Sequence, residues 1–311
     1  MITALLWTSL SAALPSPPLV NGTPTDLYPE VVLLRFADEG WVNVFVCSGV
    51  LVADQWVLTS AHCVSEVQGY DLTEMTAFSG ATWEDGVTEV PADDWFIHPD
   101  YYVSGDASVI EADLGLVHLT APIAGLSPLA LNDAELDDSV VGERLRWVGW
   151  GATGDFANDA GYVKRYADMT VVGLETEYLL AYDEGGAATC GGDSGGAVLD
   201  LSVEPPLLLA IHTFGRDDDG TLCEGSTSGD VRIDLYLDWI EENAGLDGGS
   251  ADGAGDDGSG DGGGGDEGGS TDPIDETTSE DKGGCSVAPG LSGAAGLAAA
   301  LLLSLRRRRQ G

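Results

Sequence analysis

The chain has 311 residues and a formal net charge of −41, because 53 acidic residues outnumber 12 basic ones. This length is enough for one large or two modest domains with a packed core. An excess of negative charge this large repels phosphate groups, so nucleic acid and anionic membrane surfaces are excluded as partners of the folded part.

Residues 1–18 are predicted to form a signal peptide followed by a short pro-segment. The apolar run Met1–Leu14 ends in small residues that suit a cleavage site, although the usual positive region at its start is missing. Pro15, Pro17 and Pro18 then break any regular element. We therefore expect an exported protein whose folded domain occupies residues 19–245.

Within residues 19–245, short runs rich in β-branched and aromatic residues alternate with turns rich in Gly, Pro and Asp. The clearest runs are Val31–Phe36, Val42–Val46, Val50–Leu58, Leu114–Leu119, Leu145–Trp150 and Leu207–Thr213. Their spacing of roughly ten residues predicts an all-β sandwich or barrel. A helix is predicted for Asp234–Asn243, where it would close the domain.

Residues 246–284 form an acidic, glycine-rich linker. Between Asp247 and Asp281 there is no basic and no aromatic residue. Such a segment cannot bury enough apolar surface to offset the entropy lost on ordering, so the linker is predicted to be disordered.

Residues 285–311 are predicted to be a sorting or membrane-anchor tail. Ser286–Leu305 carries no charge, and as a helix it would span ~30 Å, about the thickness of a bilayer core. The four arginines Arg306–Arg309 that follow resist translocation and place this end in the cytoplasm. The folded domain then lies outside the inner membrane.

The order of linker, Gly284-Cys285-Ser286, apolar stretch and arginine cluster resembles the MYXO-CTERM sorting tails of myxobacterial surface proteins. The resemblance implies that sorting machinery recognises Cys285, that the helix is removed and that the protein is retained at the cell envelope. A plain single-pass anchor is the alternative interpretation of the same residues.

Cysteine usage in the folded part favours disulfides over metal binding. The four cysteines there are Cys47, Cys63, Cys190 and Cys223. An even number in an exported domain predicts two disulfides, with three possible connectivities. No CxxC or HExxH spacing occurs, so we expect no metal and no cofactor. The acids Glu74, Glu84 and Asp85 could bind structural calcium, but their spacing does not require it.

Three segments carry the residue types of nucleophilic catalysis: Thr59–Cys63 (TSAHC), Glu111–Leu119 (EADLGLVHL) and Cys190–Gly196 (CGGDSGG). A serine hydroxyl is a weak nucleophile at neutral pH and needs a neighbouring base to take its proton. The base in turn needs a carboxylate that fixes its tautomer and stabilises its charged form. The segments supply His, Asp and Ser in that order.

These segments resemble the three signature regions of the chymotrypsin–trypsin serine proteases. Shorter matches are Leu19–Gly22, Cys47–Gly49, His98–Tyr101, Gly149–Gly151, Ile211–Gly215 and Leu237–Ile240. The resemblance implies two packed six-stranded Greek-key β-barrels with a C-terminal helix. It also implies a serine endopeptidase that acts on protein or peptide substrates, and we expect a monomer.

The resemblance also assigns roles. His62 would be the general base and then the general acid, Asp113 would orient it, and Ser194 would be the nucleophile that forms an acyl-enzyme. The backbone amides of Gly192 and Ser194 would form the oxyanion hole, whose donors are fixed before charge develops. The implied disulfides are Cys47–Cys63 and Cys190–Cys223.

In this family a newly freed α-amino group inserts and pairs with the carboxylate before the nucleophile. Here these groups would be the amine of Leu19 and the side chain of Asp193. Pro18 stands where a trypsin-like activator would require Lys or Arg, so another protease is expected to trim the pro-segment.

The same resemblance places Ala188 at the base of the substrate pocket and Thr213 and Gly215 along its wall. An uncharged base predicts cleavage after apolar or small residues. Counting from nearby landmarks leaves the third pocket position open between Ser228, Gly229 and Asp230. Asp230 in the pocket would restore a preference for basic residues.

The remaining histidines are given other roles. His98 and His118 are expected to be structural, and His212 is expected to line the pocket wall. A second hypothesis for the whole chain is a catalytically silent, protease-like surface protein used for binding. Such relatives usually lose a triad member, whereas this sequence retains all three.

Overall fold

The computed structural model describes residues 19–38, 44–69, 74–83, 87–105, 109–155, 157, 159–216 and 223–246. The predicted signal peptide and pro-segment, the acidic linker after Leu246 and the predicted tail lie outside these residues. None of the helices in the described ranges is long and apolar enough to cross a membrane.

Strands dominate the described residues, as the alternating sequence pattern predicts. In chain order they are β1 (Thr23–Pro24), β2 (Val31–Ala37), β3 (Val44–Ala53), β4 (Trp56–Thr59), β5 (Glu74–Ser79), β6 (Thr88–Ile97), β7 (Tyr102–Val103), β8 (Ile110–Glu111), β9 (Gly115–Leu119), β10 (Ala130–Leu131), β11 (Arg144–Gly149), β12 (Arg165–Leu174), β13 (Tyr178–Tyr182), β14 (Ala197–Asp200), β15 (Leu207–Arg216) and β16 (Thr227–Arg232). The helices are α1 (Ala61–Gly69) and α2 (Leu237–Ala244), with a single 3-10 turn at Asp138–Val140.

The strands form two antiparallel barrels with the same topology. The first closes in the order β2-β3-β4-β9-β6-β5. The second has the order β12-β11-β14-β15-β16-β13 and closes through pairing of β13 with β12. In each barrel the fourth strand in chain order pairs with the first, which gives the 4-1-2-3 order of a Greek key. The predicted pair of six-stranded barrels is therefore confirmed.

Two of the differences between the predicted and observed element boundaries have a clear local cause. The apolar run Val50–Leu58 is not one strand, because β3 and β4 are joined by a tight turn at Asp54 and Gln55 that pairs Ala53 with Trp56. Apolar residues continue on both sides of this turn and hide it in the sequence.

The closing helix also begins later than predicted. It starts at Leu237 because the Asp234 carboxylate does not cap it, but instead accepts from the Leu136 amide at 2.9 Å and pairs with Arg232 at 2.6 Å. At its other end Gly245 adopts the left-handed conformation (φ 65°) that commonly ends a helix.

The largest apolar core lies between the two barrels. Residues of the first barrel, such as Leu58 and Leu116, pack in one cluster with Val148 and Ile211 of the second barrel and with Ile240 of α2. Each such side chain contributes about 1.5–3 kcal/mol when it is fully buried. This shared core fixes the loops at its edge, and those loops carry the residues described next.

Candidate active site

His62 is held by the start of α1 and by a neighbouring disulfide. It is the second residue of the helix, and Cys63 beside it is bonded to Cys47 on β3. Its amide donates to Oδ1 of Asp113 at 2.8 Å, and its Nδ1 lies 2.7 Å from Oδ2 of the same carboxylate. Two contacts to one carboxylate fix the ring, which leaves Nε2 on the far side from Asp113.

Asp113 lies just before β9 and is fully buried, whereas about a third of the His62 side chain is exposed. A buried carboxylate is stable only with partners that offset its lost hydration. His62 provides two of these contacts. The pair therefore has one inaccessible member and one that faces solvent.

Ser194 lies on the loop between β13 and β14. Its carbonyl accepts from the Ser48 amide at 2.8 Å, which joins the loop to β3 one residue beyond Cys47. Gly195, which follows it, has φ 80°, and a Cβ there would collide with Thr59 and with the Ser48 carbonyl. Only glycine fits this position, so the close packing that places Ser194 depends on it.

The backbone around Ser194 leaves two amides available to an outside acceptor. The Gly191 carbonyl accepts from Ala152 at 2.8 Å, and the Asp193 carbonyl accepts from Gly196 at 2.7 Å. The N–H of a trans peptide points away from its carbonyl, so the Gly192 and Ser194 amides point away from these bonds. Neither donates to any group among the described residues.

Asp193 points into the protein rather than into the cleft. It is buried, and its carboxylate accepts from the amides of Gly151 at 2.8 Å and Cys190 at 2.9 Å. Burial raises the pKa of its carboxyl to about 6. Leu19 is also buried and lines the same narrow internal space as Asp193. The two predicted activation partners are thus neighbours.

The predicted pocket residues lie close to this site. Ala188 is completely buried, and its amide donates to the Val20 carbonyl at 3.2 Å. Thr213 is buried and its hydroxyl has no hydrogen-bond partner in the described part of the chain, and Gly215 pairs with Ser228 across the β15–β16 ladder.

The register of β15 against β16 distinguishes the three candidates for the third pocket position, Ser228, Gly229 and Asp230. Gly229 is paired with Phe214, and a Cβ at Gly229 would collide with that ring. Ser228 and Asp230 lie on the opposite face, where the Ser228 hydroxyl donates to Oδ1 of Asp230 at 2.8 Å. Nδ1 of His212 lies 2.9 Å from the same oxygen.

This buried cluster of His212, Ser228 and Asp230 was missed as a unit by sequence reasoning. The other carboxylate oxygen of Asp230, Oδ2, is buried without a hydrogen-bond partner in the described residues. Polar residues two apart in a strand share one face, and Ser228 and Asp230 give that pattern. The contribution of His212 from another strand has no counterpart in the sequence.

His98 and His118 take the structural positions expected of them. Nδ1 of His98 accepts from the Asp100 amide at 3.2 Å, its ring packs edge-on against Tyr236 and Trp239, and burial lowers its pKa. His118 pairs with Asp93 at 2.6 Å.

Both implied disulfides, Cys47–Cys63 and Cys190–Cys223, are present. One group of three potential metal ligands occurs in the described ranges, and it consists of His62 with the bonded Cys47 and Cys63. Disulfide sulfurs are not the thiolates that metals bind. Cys285, Glu84 and Asp85 lie outside the described residues.

A cleft of about 870 Å³ runs beside the loop of Asp113, and the sequence did not reveal it. Its walls include Ile110 from β8, which pairs with β7 outside the barrels, and Glu177, Tyr178 and Phe214 from the second barrel and the turn that leads into it. Because three separate segments of the chain line it, no single run of sequence encodes the cleft.

Comparison with known proteins agrees with this geometry. The family model described as "Trypsin" matches residues 20–240. Brachyurin from Leptuca pugilator is 27% identical over 219 residues, which are 66% of this chain and 90% of brachyurin. Chymotrypsin from Phaedon cochleariae is 25% identical over 247 residues, which are 74% of this chain and 83% of that protein.

A solved structure of mouse neuropsin, a serine protease, has a TM-score of 0.58 and 22% sequence identity, and the match covers 72% of this chain and 99% of neuropsin. At this identity the likeness establishes the fold. The family match spans most of the chain and includes the His62, Asp113 and Ser194 segments. The chain therefore belongs to the trypsin family and is a serine endopeptidase.

Proposed function

We propose that Ser194, His62 and Asp113 are the catalytic residues of this endopeptidase. His62 takes the proton of the Ser194 hydroxyl as Oγ attacks the carbonyl carbon of the scissile peptide bond. His62 then gives that proton to the leaving amine as the C–N bond breaks, which leaves an acyl-enzyme. Water, activated by the same histidine, releases the acyl group and restores Ser194.

The observation that carries this proposal is the double contact between His62 and Asp113. The 2.7 Å contact at Nδ1 keeps a proton on that nitrogen and leaves Nε2 as the basic one. The amide contact at 2.8 Å prevents the carboxylate from rotating away. A buried carboxylate placed in this way also stabilises the imidazolium formed during attack.

Two backbone amides would stabilise the negative oxygen of the tetrahedral intermediate. The Gly192 and Ser194 amides have no acceptor among the described residues, and their peptide planes are fixed by bonds to the adjacent carbonyls. Fixed donors of this kind need no reorganisation as charge develops, and loss of one typically lowers the rate by ~10²–10³.

For the residue before the scissile bond we propose small or apolar side chains. Ala188 provides no charge at the predicted base of the pocket. The nearby Asp230 is engaged by His212 and Ser228. These contacts involve only Oδ1, and Oδ2 has no partner among the described residues, so the proposal rests on Ala188, and a preference for Arg would assign the pocket charge to Asp230.

We also propose that the enzyme is made as a zymogen. Cleavage before Leu19 would free an ammonium group beside Asp193, and the buried position of both residues supports this pairing. An activating protease that accepts Pro18 would be required. N-terminal sequencing of active enzyme tests this, and a start at any residue other than Leu19 would contradict it.

Export and surface tethering are proposed from the two ends of the chain. The two disulfides support an oxidising compartment. Residues 285–311, with Cys285 as the sorting residue, would then retain the enzyme at the envelope. Replacing Cys285 with Ser should release it into the medium, and unchanged retention at the envelope would contradict the sorting role.

The proposed activity is tested with chromogenic peptides that carry Ala, Leu, Phe, Arg or Glu before the scissile bond. We expect turnover that is strongest on Ala and Leu and is lost in Ser194→Ala. Turnover confined to Arg would contradict the proposed specificity and assign the pocket charge to Asp230. No turnover by protein with a free Leu19 would favour the silent binding protein.

A further inference from the structure

The turn that precedes Asp113 has an unusual backbone conformation. Ala112 is buried and has φ 46°, in the left-handed region that residues with a Cβ rarely adopt. A residue held in this way persists only where the surrounding contacts determine it. Its N–H donates to Oε2 of Glu177 at 3.0 Å, and Glu177 lies 65 residues further along the chain.

A second contact comes from the residue next to Glu177. The hydroxyl of Tyr178 donates to the carbonyl of Ile110 at 2.8 Å, two residues before Ala112. Tyr178 is buried and packs edge-on against Phe214, with ring centroids 5.1 Å apart. Burial raises the pKa of Tyr178, so its hydroxyl remains a donor across the working pH range. Glu177 and Tyr178 therefore hydrogen-bond to the backbone of this turn at two points, Ala112 and Ile110.

Glu177 is itself held in place. Its backbone carbonyl accepts from the Arg232 amide at 2.9 Å. Its carboxylate also lies near Tyr236, where it adds to the effect of burial in raising the pKa of the tyrosine hydroxyl. The backbone of Glu177 is thus fixed to β16 while its carboxylate accepts from Ala112 in the turn.

The position of this turn decides where Asp113 points. The Leu114 amide donates to the Ala112 carbonyl at 2.7 Å, so Asp113 lies at the centre of a tight bend. Rotation of Ala112 into an ordinary backbone region would turn the Asp113 side chain away from His62. The two contacts at 2.7 and 2.8 Å between Asp113 and His62 leave little room for such a shift.

We propose that Glu177 is a positioning residue for the catalytic triad. It accepts from the Ala112 amide and so holds the left-handed turn that directs Asp113 at His62, and Tyr178 supports it through Ile110. This inference rests on the proposed function of His62 and Asp113. It assigns part of the triad geometry in the first barrel to side chains of the second barrel.

Glu177 also lines the 870 Å³ cleft, so it could instead act by touching substrate. The two roles differ in their kinetics. Removing a side chain that binds substrate raises KM, whereas a displaced Asp113 lowers kcat. A displaced Asp113 also stabilises the imidazolium less, which lowers the pKa of His62 and moves the acid limb of the pH–rate profile to lower pH.

The test compares Glu177→Ala and Glu177→Gln in the activated full chain, with Glu143→Gln as a matched control on an exposed acid outside the site. For Glu177→Ala we expect kcat to fall on the order of ten- to a hundred-fold with little change in KM. The acid limb should move to lower pH. Glutamine keeps an acceptor for Ala112, so Glu177→Gln should stay within about threefold of wild type.

Three results would overturn the proposal: unchanged kcat and pH profile in Glu177→Ala, an effect on KM alone, or equal losses of activity in the Ala and Gln variants. If Glu177→Ala fails to fold, Tyr178→Phe provides the second variant, with the same direction of change in kcat and pH profile expected. An unaltered profile there also overturns the proposal. Full activity in Ser194→Ala would refute the proposed function itself, whatever the Glu177 variants do.

Discussion

Both oxygens of the Asp113 carboxylate contact His62: Oδ2 lies 2.7 Å from Nδ1, and Oδ1 lies 2.8 Å from the backbone nitrogen. The first contact fixes the tautomer of the ring, and the second fixes the carboxylate itself. Asp113 is fully buried, so water does not screen the interaction.

This relationship predicts a large effect of Asp113→Asn on rate and a small one on substrate binding. An amide can present an N–H to Nδ1, which would leave the proton of His62 on the wrong nitrogen. We expect kcat to fall about 10⁴-fold with KM nearly unchanged. Steady-state kinetics on an alanyl peptide measure this, and a decrease of less than tenfold would contradict the assigned role.

Ser48 is predicted to support both the fold and the oxyanion amides. Its hydroxyl donates to the Gly192 carbonyl at 2.9 Å and accepts from the Trp150 amide at 2.9 Å, in a fully buried position. Ser48→Ala leaves both groups without this partner, which should cost about 1–3 kcal/mol of stability.

The matched control for Ser48 is Ser139→Ala at an exposed serine. Chemical denaturation gives the free energy of unfolding of both variants, and kinetics of the activated enzymes give kcat. We expect kcat to fall only in Ser48→Ala, since the Gly192 peptide is no longer held. Wild-type stability in Ser48→Ala would show that the two bonds contribute nothing net.

Asp193 predicts a pH-dependent stability in the chain that has not been cut before Leu19. Burial raises the pKa of its carboxyl to about 6 from a usual value of 3.8, so the folded state binds this proton more tightly than the unfolded state does. The contribution of Asp193 to the unfolding free energy is therefore largest below pH 3.8 and declines as pH rises through 6. The decline amounts to at most about 3 kcal/mol.

The measurement is the difference in unfolding free energy between wild type and Asp193→Asn, from pH 4 to pH 7. The asparagine variant cannot ionise, so wild type should lose stability relative to it over this range. After cleavage before Leu19, the new ammonium should remove most of that decline. A difference that is independent of pH in the uncut chain would contradict a raised pKa.

Lys164 predicts the opposite dependence at alkaline pH. Its Nζ is buried and donates to the carbonyls of Tyr28 at 2.8 Å and Val31 at 3.3 Å. Burial lowers its pKa to about 8 from 10.5, so the unfolded chain binds the proton more tightly. Below pH 8 the buried charge lowers the unfolding free energy by about 3 kcal/mol, and this penalty disappears as pH rises from 8 to 10.5.

Lys164→Met tests this through the pH dependence of its stability relative to wild type. Wild type should gain stability relative to Lys164→Met between pH 8 and pH 10. The absolute effect at one pH is less informative, because methionine also leaves the Tyr28 and Val31 carbonyls without this donor. Parallel stability curves across this range would rule out a lowered pKa for Lys164.

The sequence predicts those features of the site that are encoded locally. His62, Asp113 and Ser194 each lie within a short sequence motif. In the Ser194 motif, for example, Gly195 is required because only glycine fits beside the Ser48 carbonyl. The spacing of apolar runs predicts an all-β sandwich or barrel, and the two six-stranded barrels come from the resemblance to the chymotrypsin–trypsin family. What neither the local pattern nor the resemblance provides is contact between distant residues that lie outside the signature motifs.

The contact between Glu177 and Ala112 illustrates this limit. It joins segments 65 residues apart, and neither residue type suggests the other. The cluster of His212 with Ser228 and Asp230 likewise depends on the register of β15 against β16. Strand register results from packing of whole faces against the core, so it becomes visible only once the fold is known.

The central claim is that Ser194 is a nucleophile activated by His62 and Asp113. The most direct measurement is labelling of activated enzyme with a fluorophosphonate, in which Oγ of the reactive serine displaces fluoride at phosphorus. We predict one adduct per molecule, on the peptide that contains Ser194, with no adduct in Ser194→Ala and slow labelling in Asp113→Asn. Absence of the adduct in protein whose N-terminus is shown to be Leu19, or an adduct on another serine, would contradict the claim.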